Sequence, residues 1–155
     1  MKSLARLVDS SARELYHASG VFTHTANSEK LSLNQQERFY EELAPTIDQL
    51  SSIGLAGAVH HLIEMLHAFV PFDPRRVFLQ VAALVKSGKR GNYQYESMGA
   101  DQIVQIIERY LAEYRSLLQD DAECRVALRE VLDAFVEAGW PAAQRVSYKL
   151  DEIFR

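Results

Sequence analysis

The sequence predicts an all-α protein, with antiparallel helix pairs stacked as a short α-solenoid. Three observations carry this expectation. Apolar residues recur at three- and four-residue spacing through most of the chain, which is the period of an amphipathic helix. No stretch sustains the period-two alternation of a half-buried strand. Proline and glycine fall mostly at the borders of the periodic stretches, where they start and stop helices. An irregular helical bundle fits the same observations and is the alternative architecture.

The first helix is expected at Lys2–His17, with Leu4, Leu7, Val8, Ser11, Leu15 and Ala18 on one side. Ser19–Leu31 has no period and many small polar residues, so residues 1–31 read as a helix plus a loose linker. A helix restarts near Asn34, where Ser32 with Gln35, or Asn34 with Glu37, can form a capping box. Ala44-Pro45 is expected to end or kink it, because the residue before proline is pushed out of the helical region. A further short helix, Pro45–Ser52, would then end near Gly54.

The centre of the chain is the most clearly punctuated part. Leu55, Val59, Leu62, Ile63, Leu66, Phe69 and Val70 fall on one side of a helix. Val70-Pro71-Phe72-Asp73-Pro74 breaks the chain; Asp73 can cap the next helix and Pro74 suits its first position. That helix, Arg75–Ser87, has few polar positions and is expected to be buried on most sides, with Gly88 as its stop. Lys86–Ser97 then reads as a loop. The longest helix is expected at about Gly99–Leu118, burying Ile103, Ile107, Tyr110, Leu111, Tyr114 and Leu118. Gln102, Gln105, Arg109 and Ser116 face away from that stripe. Asp120-Asp121 marks a turn into a helix at Ala122–Ala138, which buries Cys124, Leu128, Val131, Leu132 and Phe135 and ends at Gly139. Pro141 opens a last helix.

These elements make a single helical domain over residues 1–155, with stacked hairpins over 55–155. The chain is long enough to bury roughly 70% of its unfolded surface. Its 48% apolar and 25% charged residues are ordinary for a globular domain. A net charge of −4 argues against general affinity for nucleic acid or an anionic membrane, both of which need an electropositive field. The one cysteine, Cys124, excludes an internal disulfide and thiolate zinc clusters. Arg6 and Asp9 interrupt the only apolar run near Met1, so no signal-peptide core is expected. Gln49–Ile63, the longest stretch free of Asp, Glu, Lys and Arg, is too short to span a bilayer. A cytoplasmic location follows as the expectation.

Val77–Gly88 can be laid on Leu128–Gly139 without a gap, matching Val81 to Leu132, Leu84 to Phe135 and Gly88 to Gly139. Helix pairs that repeat in this way stack, because no pair can bury its apolar faces alone. The paired helices, with the turn FVPFDPRR and the ends VKSG and VEAGW, resemble HEAT- or TPR-type repeats. The run YLAEYRSLL…VLDAFVEAGWPAAQRVSYKLDEIFR is similar to the C-terminal ends of large bacterial helical-repeat proteins, some carrying NTPase domains. The resemblance covers about residues 55–155, and the fixed tryptophan–glycine–tyrosine pattern of TPR repeats is missing. It implies a recognition or scaffold role, and that the chain could be one piece of a longer protein.

Two patterns are candidates for chemistry. His60, Glu64 and His67 fall at i, i+4 and i+7 on one side of a helix, opposite its apolar stripe. Two imidazoles and a carboxylate suit zinc or non-haem iron, which would make this a small metalloprotein or enzyme. But i to i+7 spans two turns, about 10 Å of rise, so a real site would need a ligand from another helix, such as His17 or His24. A solvated polar face is the simpler reading, and no metal or other cofactor is expected. There is no GxSxG, HExxH or Walker A motif. The second pattern is the segment 86–95, with Lys86, Lys89 and Arg90 beside Tyr93 and Tyr95. It is a candidate binding surface for a protein partner, since arginine and tyrosine anchor interfaces. Cations interleaved with aromatics also suit single-stranded nucleic acid, the less favoured partner here. Trp140 and Cys124 read as packing residues.

Overall fold

The computed structural model describes Ser10 and residues 32–53, 56–90 and 97–153. The expected helix Lys2–His17, apart from the helical Ser10, and the linker Ser19–Leu31 lie outside the described residues. Seven helices and no strand make up the rest: α1 (Leu33–Ile53), α2 (Ala56–Phe69), α3 (Pro74–Arg90), α4 (Ser97–Glu113), α5 (Arg115–Asp120), α6 (Ala122–Glu137) and α7 (Pro141–Ile153). The all-α class holds. No helix among the described residues is long and apolar enough to cross a membrane.

The capping signals act as the sequence suggests. Ser32 N donates to Gln35 Oε1 at 2.9 Å, and Gln35 N donates back to Ser32 Oγ at 3.4 Å, a capping box at the start of α1. Asp73 Oδ1 accepts from Arg76 N at 2.9 Å, and Asp121 Oδ1 from Cys124 N at 2.9 Å. At the end of α6, Gly139 takes φ +80°. Gly139 N donates to Val136 O and Trp140 N to Phe135 O, both at 3.0 Å, which is the full Schellman pairing.

Three helix boundaries differ from expectation. First, α1 runs unbroken through Pro45. The proline lies on the exposed side, and so does Glu41, whose carbonyl loses its helical partner there. Water can satisfy that carbonyl, while Tyr40, Ala44, Ile47 and Leu50 on the opposite side are buried. Second, α3 continues past Gly88 to Arg90. A helical glycine costs only about 1 kcal/mol relative to alanine, too little to stop a helix buried on most sides. Third, the expected helix Gly99–Leu118 is two. Tyr114, at φ −127° and ψ 32°, leaves the helical region, and the six-residue α5 carries the chain across to α6. Among the described residues the longest helix is therefore α1, with 21 residues.

The helices pack in two rows. In one row α3 lies between α1 and α6; in the other α4 lies between α2 and α7. Between rows, α2 meets α1 and α3, and α6 meets α5 and α7. The first row is parallel. Along α1 and α3, Tyr40 and Asp48 meet Gln80, and Ser51 farther on meets Ser87. Along α3 and α6, Arg75 meets Asp121 while Lys86 meets Glu130. The burial pattern of α3 matches α6 best with Val77 on Cys124, Val81 on Leu128 and Leu84 on Val131. That is one helical turn short of the sequence match of Val77 to Leu128. A one-turn slip nearly preserves an apolar stripe, so sequence alone does not fix it.

One core holds the rows together. Val59, Leu62, Ile63, Met65, Leu66, Phe69 and Val70 of α2 and its turn are all buried. An aromatic group closes the α2–α3 turn: Tyr40 lies 5.1 Å from Phe69 and 6.4 Å from Phe72, ring centre to ring centre. On the other side of α3, Phe78 lies 4.7 Å from Tyr110, whose hydroxyl donates to Pro74 O at 2.7 Å. Leu111 and Tyr114 are only half-buried, unlike Ile103, Ile107 and Leu118.

Gly139 gives a clean test of the fold, because a Cβ there would meet nothing within 4 Å. Gly139→Ala carries only the backbone penalty of the left-handed region, and should lower unfolding free energy by roughly 1–2 kcal/mol. Gly139→Asn should lose less. Equal stability of all three in urea denaturation would mean that α6 does not end in this motif.

Candidate interaction surface

The outer side of α3 is a narrow strip. Its 3.6-residue period puts Arg75 and Lys86 at one margin, Arg76, Gln80 and Ser87 at the other, and Leu79 and Ala83 between them. Each margin is tied to a neighbouring helix. Toward α6, Arg75 Nε donates to Asp121 Oδ2 at 2.8 Å and its Nη2 to Glu123 Oε2 at 2.5 Å. Farther along, Lys86 Nζ donates to Glu130 Oε1 at 2.9 Å. Toward α1, Arg76 Nη2 donates to Asp48 Oδ2 at 2.5 Å. Gln80 is buried and fully engaged: Nε2 donates to Asp48 Oδ1 at 2.6 Å and Ala44 O at 3.2 Å, and Oε1 accepts from Tyr40 Oη at 3.2 Å. Ser87 Oγ donates to Ser51 O at 2.6 Å.

The expected binding segment is only partly a loop. Lys86, Lys89 and Arg90 belong to the last turns of α3; residues 91–96, with Tyr93 and Tyr95, and the side chains of Lys89 and Arg90 lie outside the described residues. Lys86 is exposed, but its charge is matched by Glu130. Its positive field is therefore weaker than the sequence suggests.

The histidine side of α2 is not the solvated face expected opposite an apolar stripe. Glu64 and His67 are half-buried, and Met65 on the same helix is buried. Arg109 of α4 donates to His67 O at 3.5 Å. Burial, and then the Arg109 charge, hold the His67 imidazole below its ordinary pKa. A guanidinium beside the ring also opposes a bound cation. No three His, Cys, Asp or Glu among the described residues come together as a metal site, and the His60 side chain lies outside those residues.

Other ionisable groups in the core are also held uncharged. Burial is the main cause in each case: it raises Tyr40 and Tyr110 well above the usual phenol range and pushes the Cys124 thiol up to about 11. Cys124 is thus a packing residue, as its place on the apolar stripe suggests. Trp140 sits after Gly139 in the Schellman turn, half-buried against the core.

Periodicity assigns no role to Arg75, Arg76 or Gln80 and places Arg109 facing away from the buried stripe, whereas it is half-buried and reaches α2; a signal was available for the first two. Cations in the first turn of a helix oppose its macrodipole, so they need carboxylates from elsewhere. Asp121 and Glu123 supply these from the start of α6, where acids are favoured. Gln80 had a weaker signal, as a polar residue inside a run otherwise fit for the core.

No family model, curated protein or solved structure matches this chain.

The Cys124 backbone N–H, followed by Arg75, holds the Asp121 carboxyl down at about 2. Its stabilisation is therefore complete above about pH 4 and is lost as pH falls from there through about 2. Asp121→Asn should melt lower than the parent at pH 7 and lose less stability across that window. Parallel stability–pH curves would show that Asp121 is not paired in solution.

For His67 the lowered pKa means a neutral ring at pH 7, with stability falling as pH drops below about 6.5. Its titration by NMR should have a midpoint below that of a free histidine. Arg109→Gln should raise the midpoint part of the way, since burial remains. A midpoint at or above about 6.5 in the parent would contradict the packing of α2 on α4.

Proposed function

We propose that this chain is a non-catalytic helical scaffold of the α-solenoid type that works by binding another protein. The observation that supports it most is the two-row packing. Each row helix meets its sequential row neighbours, and the rows are joined by helices next to each other in the chain. This is the nearest-neighbour pattern of stacked helix pairs, in which loops and outer helix faces are left for contact. Cys124 is buried with its thiol pushed up to about 11, which keeps it from acting as a thiolate nucleophile.

On this reading the contact surface includes the end of α3 and the segment after it, through Lys86, Lys89, Arg90, Tyr93 and Tyr95. The partner is a protein and not a nucleic acid, because the net charge is −4 and at least Lys86 is neutralised by a neighbour.

The test is affinity capture from the native cell with the parent, a Lys89→Glu/Arg90→Glu variant and a Tyr93→Ala/Tyr95→Ala variant. The parent should retain a protein partner that at least one variant loses by tenfold or more, with melting unchanged. Equal capture by all three would remove this segment from the interface. Retention of nucleic acid by the parent, lost with Lys89→Glu/Arg90→Glu, would replace the protein partner with a nucleic acid.

A further inference from the structure

We infer that Tyr114 is a joint at which α6 and α7 can be exchanged between two copies of this chain, giving a swapped dimer in which α4 and α5 run as one helix. Three features of the chain carry the inference.

First, the break at Tyr114 has no local cause. No glycine or proline occurs between Ala100 and Ala138, so the residues that ordinarily stop or kink a helix are missing. Leu111, Ala112, Glu113, Arg115 and Leu117, around the break, are among the better helix formers. Tyr114 nonetheless takes φ −127° and ψ 32°, and no side chain caps the helix that follows. The first N–H groups of α5 therefore forgo the bonds that a continuous helix would give them. The break is imposed by packing, with Leu118 buried and α5 lying against α4 and α6.

Second, α6 and α7 form a unit that can be exchanged whole. They pack on each other, α6 packs on α3, α7 packs on α4, and the chain enters them only through α5. They are held by buried apolar residues such as Leu128, Val131 and Phe135, and by the pairs Arg75–Asp121 and Lys86–Glu130. A second copy presents the same α3 and α4, so the swapped unit remakes each of these contacts on its partner. Monomer and dimer then differ mainly at the joint, and exchange of identical elements is characteristic of repeat-like folds.

Third, the joint has apolar surface to cover. Leu111, Tyr114 and Leu117 are only half-buried in the single chain. In one continuous helix they share a side with Ile107 and Leu118. The two straightened helices of the dimer meet at the exchange point, where these residues cover one another. Leu118, which leaves its place beside α6, joins the same strip.

Exchange requires α6 and α7 to leave α3, so it occurs during folding and not on mixing folded chains. The parent is unfolded in urea and refolded at low and at high concentration, with half of the chains carrying a heavy isotope, and mass is read by light scattering. Low concentration should return monomer; high concentration should add a dimer that persists on dilution. A carbodiimide then joins Lys86 to Glu130, whose side chains lie 2.9 Å apart. The dimer should yield Lys86–Glu130 peptides that pair a heavy with a light chain, and the monomer none. Arg115→Pro bars the straight helix, because proline removes an N–H and clashes one turn back, yet it suits the first position of α5. It should cut the dimer fraction tenfold or more, while Arg115→Ala leaves it unchanged. The isotope result stands whether or not Arg115→Pro folds. No dimer from the parent at either concentration, or a dimer whose Lys86–Glu130 peptides are all of one isotope, would overturn the inference. So would a folded Arg115→Pro that dimerises as well as Arg115→Ala.

Discussion

The architecture depends on one constraint: α3 must be buried on most sides while carrying cations at its N-terminal end. Val77, Phe78, Val81, Leu84 and Val85 place it in the middle of its row. Arg75 and Arg76 then lie at the positive end of a helix dipole, where a cation is disfavoured. The neighbours resolve this from opposite sides, with Asp48 from α1 and Asp121 and Glu123 from α6. Both flanking helices run parallel to α3, so the start of α6, with its own dipole-favoured acids, lies beside the start of α3. The charge pattern of one row therefore follows from helix direction. These pairs are partly exposed, so each adds little stability. Their main effect is on which helix ends can lie together.

The two margins of α3 are not equivalent. The margin toward α6 is a line of exposed ion pairs, Arg75 to Asp121 and Glu123, then Lys86 to Glu130. The margin toward α1 continues inward from Arg76–Asp48 to the buried Gln80, and then to Ser87 on Ser51 O. Salt and solvent can loosen the first line with small effect on the core. Opening the second would expose Tyr40, a large buried ring held against Phe69 and Phe72. The α1–α3 contact is thus the more demanding in alignment, although both are made by the same helix.

Much of the fold could be read from local chemistry. The Ser32–Gln35 box, Asp73 with Pro74, Asp121 and Gly139 each fixed a boundary, because caps are decided within a few residues. The α6 stripe Cys124, Leu128, Val131, Leu132 and Phe135 was legible from its period. The missed boundaries share a cause: tertiary burial outweighed a local breaker. Pro45 and Gly88 each cost a helix some stability; Pro45 lies away from the buried face of α1, and Gly88 lies on the buried face of α3, whose burial outweighs its cost. The surfaces were less legible. The polarity of His67 suggested solvent, but its surroundings come from Arg109, far off in sequence. The charge of Lys86 suggested a positive patch, but Glu130 answers it from another helix. Periodicity gives a residue's side on its own helix and says nothing of what lies opposite.

Both ends of the first row are mostly polar. The outward side of α1 carries Arg38, Glu41, Glu42, Pro45, Thr46 and Gln49, and such a polar face needs no further helix to cover it. At the other end α6 presents Arg129 and Asp133 but also Val126, which is 57% exposed, and α7 presents Tyr148 at 78%. Isolated exposed apolar residues are common on protein surfaces. Leu33, at the start of α1, is 74% exposed as well, so such residues occur at both ends, and the cations Lys86, Lys89 and Arg90 lie in the last turns of α3. The spacing of the first row is set by α3 and its two margins, exposed ion pairs toward α6 and the buried Gln80 and Ser87 contacts toward α1.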